Sequence, residues 1–444
     1  MTAFKAYDIR GIYGVDFTKE DVYKAGFFLP RLLHADKVLV GRDIRVSSDE
    51  IYHALTQGII DAGADVYNLG LATTPMVYYF TAKHHFRASV QITASHNPKE
   101  YNGLKISTEN AAPVGYDSGL SMLEQLIETQ TVVADSPAGK IVDCFSKEDY
   151  VSFLKTYIND FSNLNTVIDC SNGMACLLAK SVFGESPLYL NDVPDGTFPN
   201  HEPNPLEAKN IVQLQKAVKK QQADIGIIFD GDADRVMFTD ENADFISPDL
   251  MIAVLGHYFC EKQLKGNVLF DIRTSKSVEE YLRRLGFTPN IWKVGRAYAA
   301  MKLRETDGVF GGELAGHYYF KDFFYSDSGM LACVILLDIF AAFKRKGLSV
   351  SQVIKQIVRY ANSGEINFKT VDKQTAIEQV KDYFCKQEMP IKIYDFDGYR
   401  VEFEDWWFNI RLSNTEPYLR FIAEAKTKQM LDEKVKTVKY LLKQ

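Results

Sequence analysis

Through the first 360 or so residues, short apolar runs rich in Val and Ile alternate with helix-length amphipathic segments. That order predicts α/β layers around largely parallel or mixed sheets. Residues 37–40, 88–93, 166–169, 224–229 and 267–271 read as strands. Residues 49–62, 206–221 and 248–262 space their apolar side chains three and four apart and read as helices, the last opened by Ser247-Pro248. The run from Gly329 to Leu337 stops at Asp338, short of the ~18 to 20 apolar residues that a bilayer demands, and is predicted to be a buried core helix. The pattern then changes. Residues 392–403 alternate around an Asp397-Gly398 turn, and 407–412 and 418–425 follow as further strands. A small antiparallel sheet with helices on one side is expected there.

Turn formers cluster at 135–139, 244–248 and 361–364. Cuts at these points give blocks of 1–138, 139–246, 247–361 and 362–444, in keeping with a 444-residue chain that is too long for one ordinary core. With 46% hydrophobic and 25% charged residues the chain is expected to pack as a globular protein. Its net charge of −7 supplies no electrostatic case for nucleic acid or an anionic membrane, so an anionic small molecule would need a local basic pocket. Lys5, Asp8 and Arg10 interrupt the amino terminus where a signal core would be, and a cytoplasmic protein is expected. Six scattered cysteines without a C-x-x-C pair suggest neither disulfides nor zinc.

Three predicted strands end in polar loops: Thr93-Ala-Ser-His-Asn-Pro98, Asp230-Gly-Asp-Ala-Asp-Arg235 and Gly311-Gly-Glu-Leu-Ala-Gly-His317. Ligands of α/β sheets gather at such carboxyl ends. Asp230, Asp232 and Asp234 alternate, so their carboxylates can converge as hard oxygen ligands for magnesium. A solvated acidic turn is the plainer alternative. A calcium loop with Glu241 in twelfth place fails because Arg235 stands where its sixth-place glycine is needed. A phosphatase using Asp230 as nucleophile is a further rival, though it leaves the other two loops without work.

Ser95, followed by His96, could accept a phosphoryl group if a metal neutralised the charge, whereas a Ser-His-Asn-Pro turn can equally be structural. Lys105 returns after Asn102-Gly103 and could carry a proton, meet a phosphate, or simply be solvated. Glu313 could accept two sugar hydroxyls, with His317 close behind Gly316. Near the carboxyl terminus, Arg411, Ser413, Asn414, Thr415 and Arg420 supply donors suited to a phosphate.

Taken in order, these motifs resemble one family over nearly the whole chain: the α-D-phosphohexomutases, in particular the phosphomannomutase/phosphoglucomutase group. Lys5-Ala-Tyr-Asp-Ile-Arg-Gly11 and Tyr101-Asn-Gly-Leu-Lys105 complete the set. The resemblance implies four domains around a central cleft, three related α/β domains with mixed sheets and a smaller α+β domain at the carboxyl terminus. It implies that Ser95 is carried as phosphoserine, that magnesium joins it to Asp230, Asp232 and Asp234, and that the substrate is a mannose or glucose phosphate isomerised through a 1,6-bisphosphate. Tyr7 and Arg10 would lie near the phosphoserine, Arg235 would support the metal loop, and Lys105, His96 and His317 are the candidate acid and base. Glu313 would read the sugar, and the fourth domain would grip the phosphate that is not reacting and swing to close on it.

The chain departs from the pattern at Ala315, usually serine, and at Arg296, often histidine, which could take a phosphate contact. Leu314 and Ser413-Asn414-Thr415 look more like the mannose/glucose enzymes than the glucosamine enzymes. A phosphoglucosamine mutase, a magnesium-dependent hydrolase at Asp230 and a non-catalytic sugar-phosphate sensor are the alternatives.

Overall fold

The computed structural model describes residues 2–134, 137–143, 145–370, 372–412 and 418–442. These residues build four sheets. The first runs Ile9–Ile12, Tyr101–Thr108, Ala88–Ile92, Lys37–Arg42, Asp65–Leu71, Ile141–Asp143, with Ala112–Pro113 added on Tyr101–Thr108. The second runs Phe245–Ile246, Val236–Thr239, Ile225–Phe229, Thr166–Asp169, Leu188–Leu190, and the third Thr288–Trp292, Asn267–Asp271, Phe310–Gly312, Tyr318–Phe320, Ser326–Asp327. The fourth is antiparallel and centred on Trp406–Leu412 and Leu419–Ala425.

The first three sheets share one device. A parallel inner strand runs into a loop and returns as an antiparallel neighbour: Ala88–Ile92 returns as Tyr101–Thr108, Ile225–Phe229 as Val236–Thr239, and Phe310–Gly312 as Tyr318–Phe320. The three polar loops are the connections of these hairpins, so each leaves its sheet from an equivalent place. Strands Ala88–Ile92 and Ile225–Phe229 are buried along their whole length, which explains the continuous apolar run of the second, while the first also buries Ser89 and Gln91.

Two boundaries differ from expectation. Strand Ile141–Asp143 pairs with Asp65–Leu71, so the first sheet continues past the expected cut at 138 and ends after Asp143. Likewise Ala361–Asn362 pairs with Leu419–Ala425 and belongs to the fourth sheet. The expected helix over 206–221 begins only at Val212, after a short 3-10 turn at Ala208–Asn210. Asn210 Nδ2 donates to the Asn204 carbonyl at 2.9 Å, and this side-chain bond holds the preceding residues in a turn.

Helix Gly329–Arg345 buries Met330 to Leu337 without a break, and its apolar core is continuous with strands of the second and third sheets and with helix Thr74–Lys83 of the first. The fourth domain has a separate core built on Phe384, Trp406, Phe408 and Phe421. No helix among the described residues is long and apolar enough to cross a membrane.

Helices Lys19–Leu32 and Ser48–Asp61 cross in the first domain at two glycines. A Cβ on Gly26 would lie 2.1 Å from the Leu55 carbonyl oxygen, and one on Gly58 would lie 2.1 Å from that of Tyr23. Helix propensity alone makes Gly58→Ala stabilising by about 1 kcal/mol. The backbone contact reverses the sign, and the variant should lose about 1–3 kcal/mol in chemical denaturation of the first domain; a gain in stability would show that the helices can separate at no cost.

Candidate active site

Ser95 stands in the left-handed region at φ 52°, wholly buried, with its N–H donating to Thr93 Oγ1 at 2.9 Å. Its hydroxyl donates to Asp230 Oδ2 at 2.8 Å, across 135 residues of chain and from the first domain to the second. Asp230, Asp232 and Asp234 are all wholly buried, and each offers an oxygen within 4.8 Å of the others. Burial, followed by the charges of Asp232 and Asp234, pushes the pKa of Asp230 well above the carboxylate range.

Lys105, expected as readily in solvent, is buried among them. Its ammonium donates to Asp232 Oδ2 at 2.6 Å and to Asp234 Oδ2 at 2.5 Å. Burial pulls the lysine pKa down, but the two carboxylates outweigh it and the net shift is upward. At Asp234 burial acts upward, while Lys105 and His317 prevail and the pKa falls. Thr74 Oγ1 donates to Asp232 Oδ2 at 2.5 Å. Arg235 closes the loop, its N–H donating to Asp230 Oδ1 at 3.2 Å and its Nε 3.8 Å from both Asp230 and Asp234.

One oxygen of Asp232 and one of Asp234 remain buried without a hydrogen-bond donor. Such oxygens are costly unless a cation meets them. Hard oxygen donors converging beside a serine hydroxyl fit magnesium.

The third loop turns at Gly316, φ 86°, and its His317 forms an isolated antiparallel bridge with Arg235 of the second loop. His317 Nδ1 lies 2.6 Å from Asp327 Oδ2 and 3.8 Å from Asp234 Oδ1. Asp327 also accepts from Arg296 Nε at 3.1 Å, and the Arg296 guanidinium stacks 4.2 Å over Tyr78 of the first domain. Arg296 is therefore tied to Asp327. Burial would raise the Asp327 pKa, but His317 and Arg296 draw it down to about 2. Glu313 accepts the Gly295 N–H at 2.9 Å and a short bond from the Tyr319 hydroxyl, so both of its oxygens are oriented.

Of the other expected residues, Arg10 pairs with Asp8 and donates to Asn97 Oδ1 at 3.0 Å, beside the serine loop. His96 Nδ1 is 3.4 Å from Ser95 Oγ. Burial, then Arg235 and Arg10, hold its pKa well below the usual imidazole value, so it is neutral. Tyr7 lines the same cleft and packs on the third domain, its hydroxyl donating to the Val294 carbonyl at 3.4 Å and its ring edge-on to Tyr298.

At the far end, Arg420 donates to Glu365 Oε1 at 2.7 Å, Arg273 to Oε2 at 3.3 Å, and Arg411 stands 4.0 Å away. Burial acts upward on the Glu365 pKa, but the three guanidiniums win and hold it below its usual value. Ser413, Asn414 and Thr415 lie outside the described residues. Sequence reasoning missed Arg273, Asp327 and Glu365. Arg273 follows a predicted strand as Asp271-Ile-Arg273, the one signal that could have found it.

His96, Lys105, Arg235, Glu313, His317 and the arginine cluster line one cleft of about 1250 Å³, and Ser95 and the acidic triad are buried in direct contact with His96, Lys105 and Arg235 of its wall. The cleft exceeds the usual ligand cavity of roughly 300–1,000 Å³. A buried hydroxyl against a carboxylate triad, with a separate cationic seat, is an arrangement suited to phosphoryl transfer.

Comparison with known proteins agrees. Models of the phosphoglucomutase/phosphomannomutase family match as alpha/beta/alpha domain I at residues 1–132, domain II at 148–243, domain III at 247–360 and the C-terminal domain at 365–438. The chain is 35% identical to a phosphomannomutase of Vibrio cholerae serotype O1, over 100% of this chain and 98% of that one, and 32% identical to one of Salmonella montevideo, over 97% and 98%. A phosphoglucomutase/phosphomannomutase family structure from Burkholderia thailandensis superposes with TM-score 0.85 at 27% identity, covering 100% of this chain and 97% of that one. The chain belongs to the phosphoglucomutase/phosphomannomutase family. It is a hexose-phosphate mutase, an intramolecular phosphotransferase.

Because the Lys105 ammonium occupies the space of a cation between two of the triad's carboxylates, it would compete with a divalent ion bound there. Lys105→Met should bind magnesium at least about tenfold more tightly in calorimetric titration, since one unit charge at this range is worth well over 1.4 kcal/mol. Unchanged affinity would place the cation elsewhere.

Proposed function

We propose that the chain interconverts the 1- and 6-phosphates of mannose or glucose, with Ser95 as the group that carries the phosphoryl unit. The bond from Ser95 Oγ to Asp230 Oδ2 carries this reading, because it sets a buried hydroxyl against the triad directly beside His96, Lys105 and Arg235, which line the large cleft. Asp230, Asp232, Asp234 and the Ser95 side chain would hold magnesium, which when bound supplies positive charge against the transferring phosphoryl group.

In the first half-reaction the free sugar hydroxyl attacks phosphorus, the bond from phosphorus to Ser95 Oγ breaks, and the hydroxyl proton passes to the protein. His317 suits the acceptor role: with Nδ1 held by Asp327 it has Nε2 left for the cleft that it lines. Lys105 and Arg235 place fixed positive charge beside the reacting group. His96, neutral and on the serine loop itself, orients Ser95.

The product is a hexose 1,6-bisphosphate. It turns over in the cleft, and the second half-reaction returns the other phosphoryl group to Ser95. A bisphosphate of glucose or mannose therefore also serves as activator when Ser95 is not phosphorylated. Glu313, fixed by Gly295 and Tyr319, receives the sugar hydroxyls in either orientation, while Arg273, Arg411 and Arg420 take the phosphate that is not reacting. The names of the curated relatives and Leu314 favour mannose or glucose over glucosamine. Ala315 brings a methyl to the sugar loop, so hydroxyl recognition rests on Glu313.

A phosphorus NMR time course with magnesium and a trace of glucose 1,6-bisphosphate tests the reading, with mannose 1-phosphate, glucose 1-phosphate and glucosamine 1-phosphate offered separately. The corresponding 6-phosphate should appear from mannose and glucose, and Ser95→Ala should lower the rate by at least about 10⁴-fold, as loss of a covalent nucleophile does elsewhere. Inorganic phosphate released undiminished by Ser95→Ala would move the chemistry to Asp230.

A further inference from the structure

Arg45 lies outside every motif discussed so far, yet its wholly buried guanidinium makes the densest set of contacts around the serine loop. Nη2 donates to the carbonyls of Ser95 at 2.8 Å and Asn97 at 2.6 Å, and Nη1 to those of Pro98 at 2.7 Å and Tyr101 at 3.0 Å. Nε stands 3.2 Å from Asp43 Oδ2, and the other oxygen of Asp43 accepts the Arg45 N–H at 3.0 Å and the Ser48 hydroxyl at 2.6 Å. Four of the five guanidinium hydrogens are thus directed at carbonyls along one seven-residue stretch, while the buried Nε meets Asp43 as an ion pair without a hydrogen bond.

That stretch needs holding. Ser95 has φ 52°, a conformation that is unfavourable for a residue with a side chain and persists only where the surroundings enforce it. The second domain covers the clamp. Phe198 lies with its ring 5.1 Å from the guanidinium carbon, and Gly196 forms a parallel bridge with Arg45, so close that a Cβ on the glycine would fall 2.2 Å from the Ile44 carbonyl oxygen. Water is kept from the four bonds by a loop of the domain that also supplies Asp230.

We propose that Arg45 is a positioning residue for phosphoryl transfer: through the carbonyls of Ser95, Asn97, Pro98 and Tyr101 it fixes the strained backbone that aims the Ser95 hydroxyl at Asp230. This rests on the reading of Ser95 as the phosphoryl carrier. Lysine cannot replace it, because an ammonium presents its donors from one point and cannot span carbonyls on both sides of a fork. The sugar and its distal phosphate are gripped elsewhere, by Glu313 and the arginine cluster, so a displaced serine loop affects the chemical step and spares binding.

The test is steady-state kinetics on mannose 1-phosphate for wild type, Arg45→Lys, Arg45→Ala, Phe198→Ala and Ser95→Ala, with magnesium and bisphosphate present. Arg45→Lys should lower kcat about 100-fold, with KM within about threefold of wild type, as expected for a misplaced reacting group. Arg45→Ala should regain at least about tenfold in kcat on addition of millimolar guanidinium, below denaturing concentrations, while Ser95→Ala stays inactive with or without it. Phe198→Ala, which keeps all four bonds and removes their cover, should lower kcat about tenfold at unchanged KM and decides the matter if the arginine variants do not fold. Wild-type kcat in folded Arg45→Lys or in Phe198→Ala, or a loss confined to KM, would overturn the role of Arg45 so long as Ser95→Ala is inactive. Activity in Ser95→Ala would instead overturn the reading of Ser95.

Discussion

Three carboxylates held within 4.8 Å of one another inside the protein repel strongly, and much of the site answers that repulsion. Lys105 is drawn out of solvent to lie between Asp232 and Asp234, Arg235 closes over Asp230 and Asp234, and the Ser95 hydroxyl donates to Asp230. Even so, oxygens of Asp232 and Asp234 remain without a donor. The loop is stable enough to persist and unsatisfied enough to attract a further cation, which is the condition a metal-assisted transfer site must meet.

The fold delivers these charges to one place by repeating a single connection. In each α/β domain an inner strand ends in a loop and returns antiparallel, so three loops project from equivalent points and meet through direct contacts: Ser95 with Asp230, and His317 with Arg235. A shared apolar core around helix Gly329–Arg345 joins these three domains, whereas the fourth packs around its own aromatic cluster. The serine and acidic loops therefore sit on the part of the molecule built as one mass, and the arginine cluster bridges that part, through Arg273, to the fourth domain with Arg411 and Arg420.

Much of the architecture was legible because the information was local. Strands 37–40, 166–169 and 267–271 announce themselves by runs of Val, Ile and Leu, and the serine, aspartate and glutamate loops follow such runs directly. The burial of Lys105 was not legible, for the opposite reason: its partners Asp232 and Asp234 are 127 and 129 residues away. Asp327 looks like any turn residue until His317 and Arg296 are found on its two oxygens, and Arg45 is one arginine among many until four carbonyls surround it. Strand Ile141–Asp143 is too short to carry a pattern, and only its pairing with Asp65–Leu71 assigns it to the first domain.

Glu365 gives the cleft a resident anion. Arg273, Arg411 and Arg420 already face a carboxylate, so a phosphate seated there, as proposed, would exchange one anion for another, and its net strength would be the difference between the two. A doubly charged phosphate prevails over a single carboxylate, but by less than it would against water alone. Such a shallow well suits a molecule whose intermediate must let go at one end, reverse, and be caught again without drifting away.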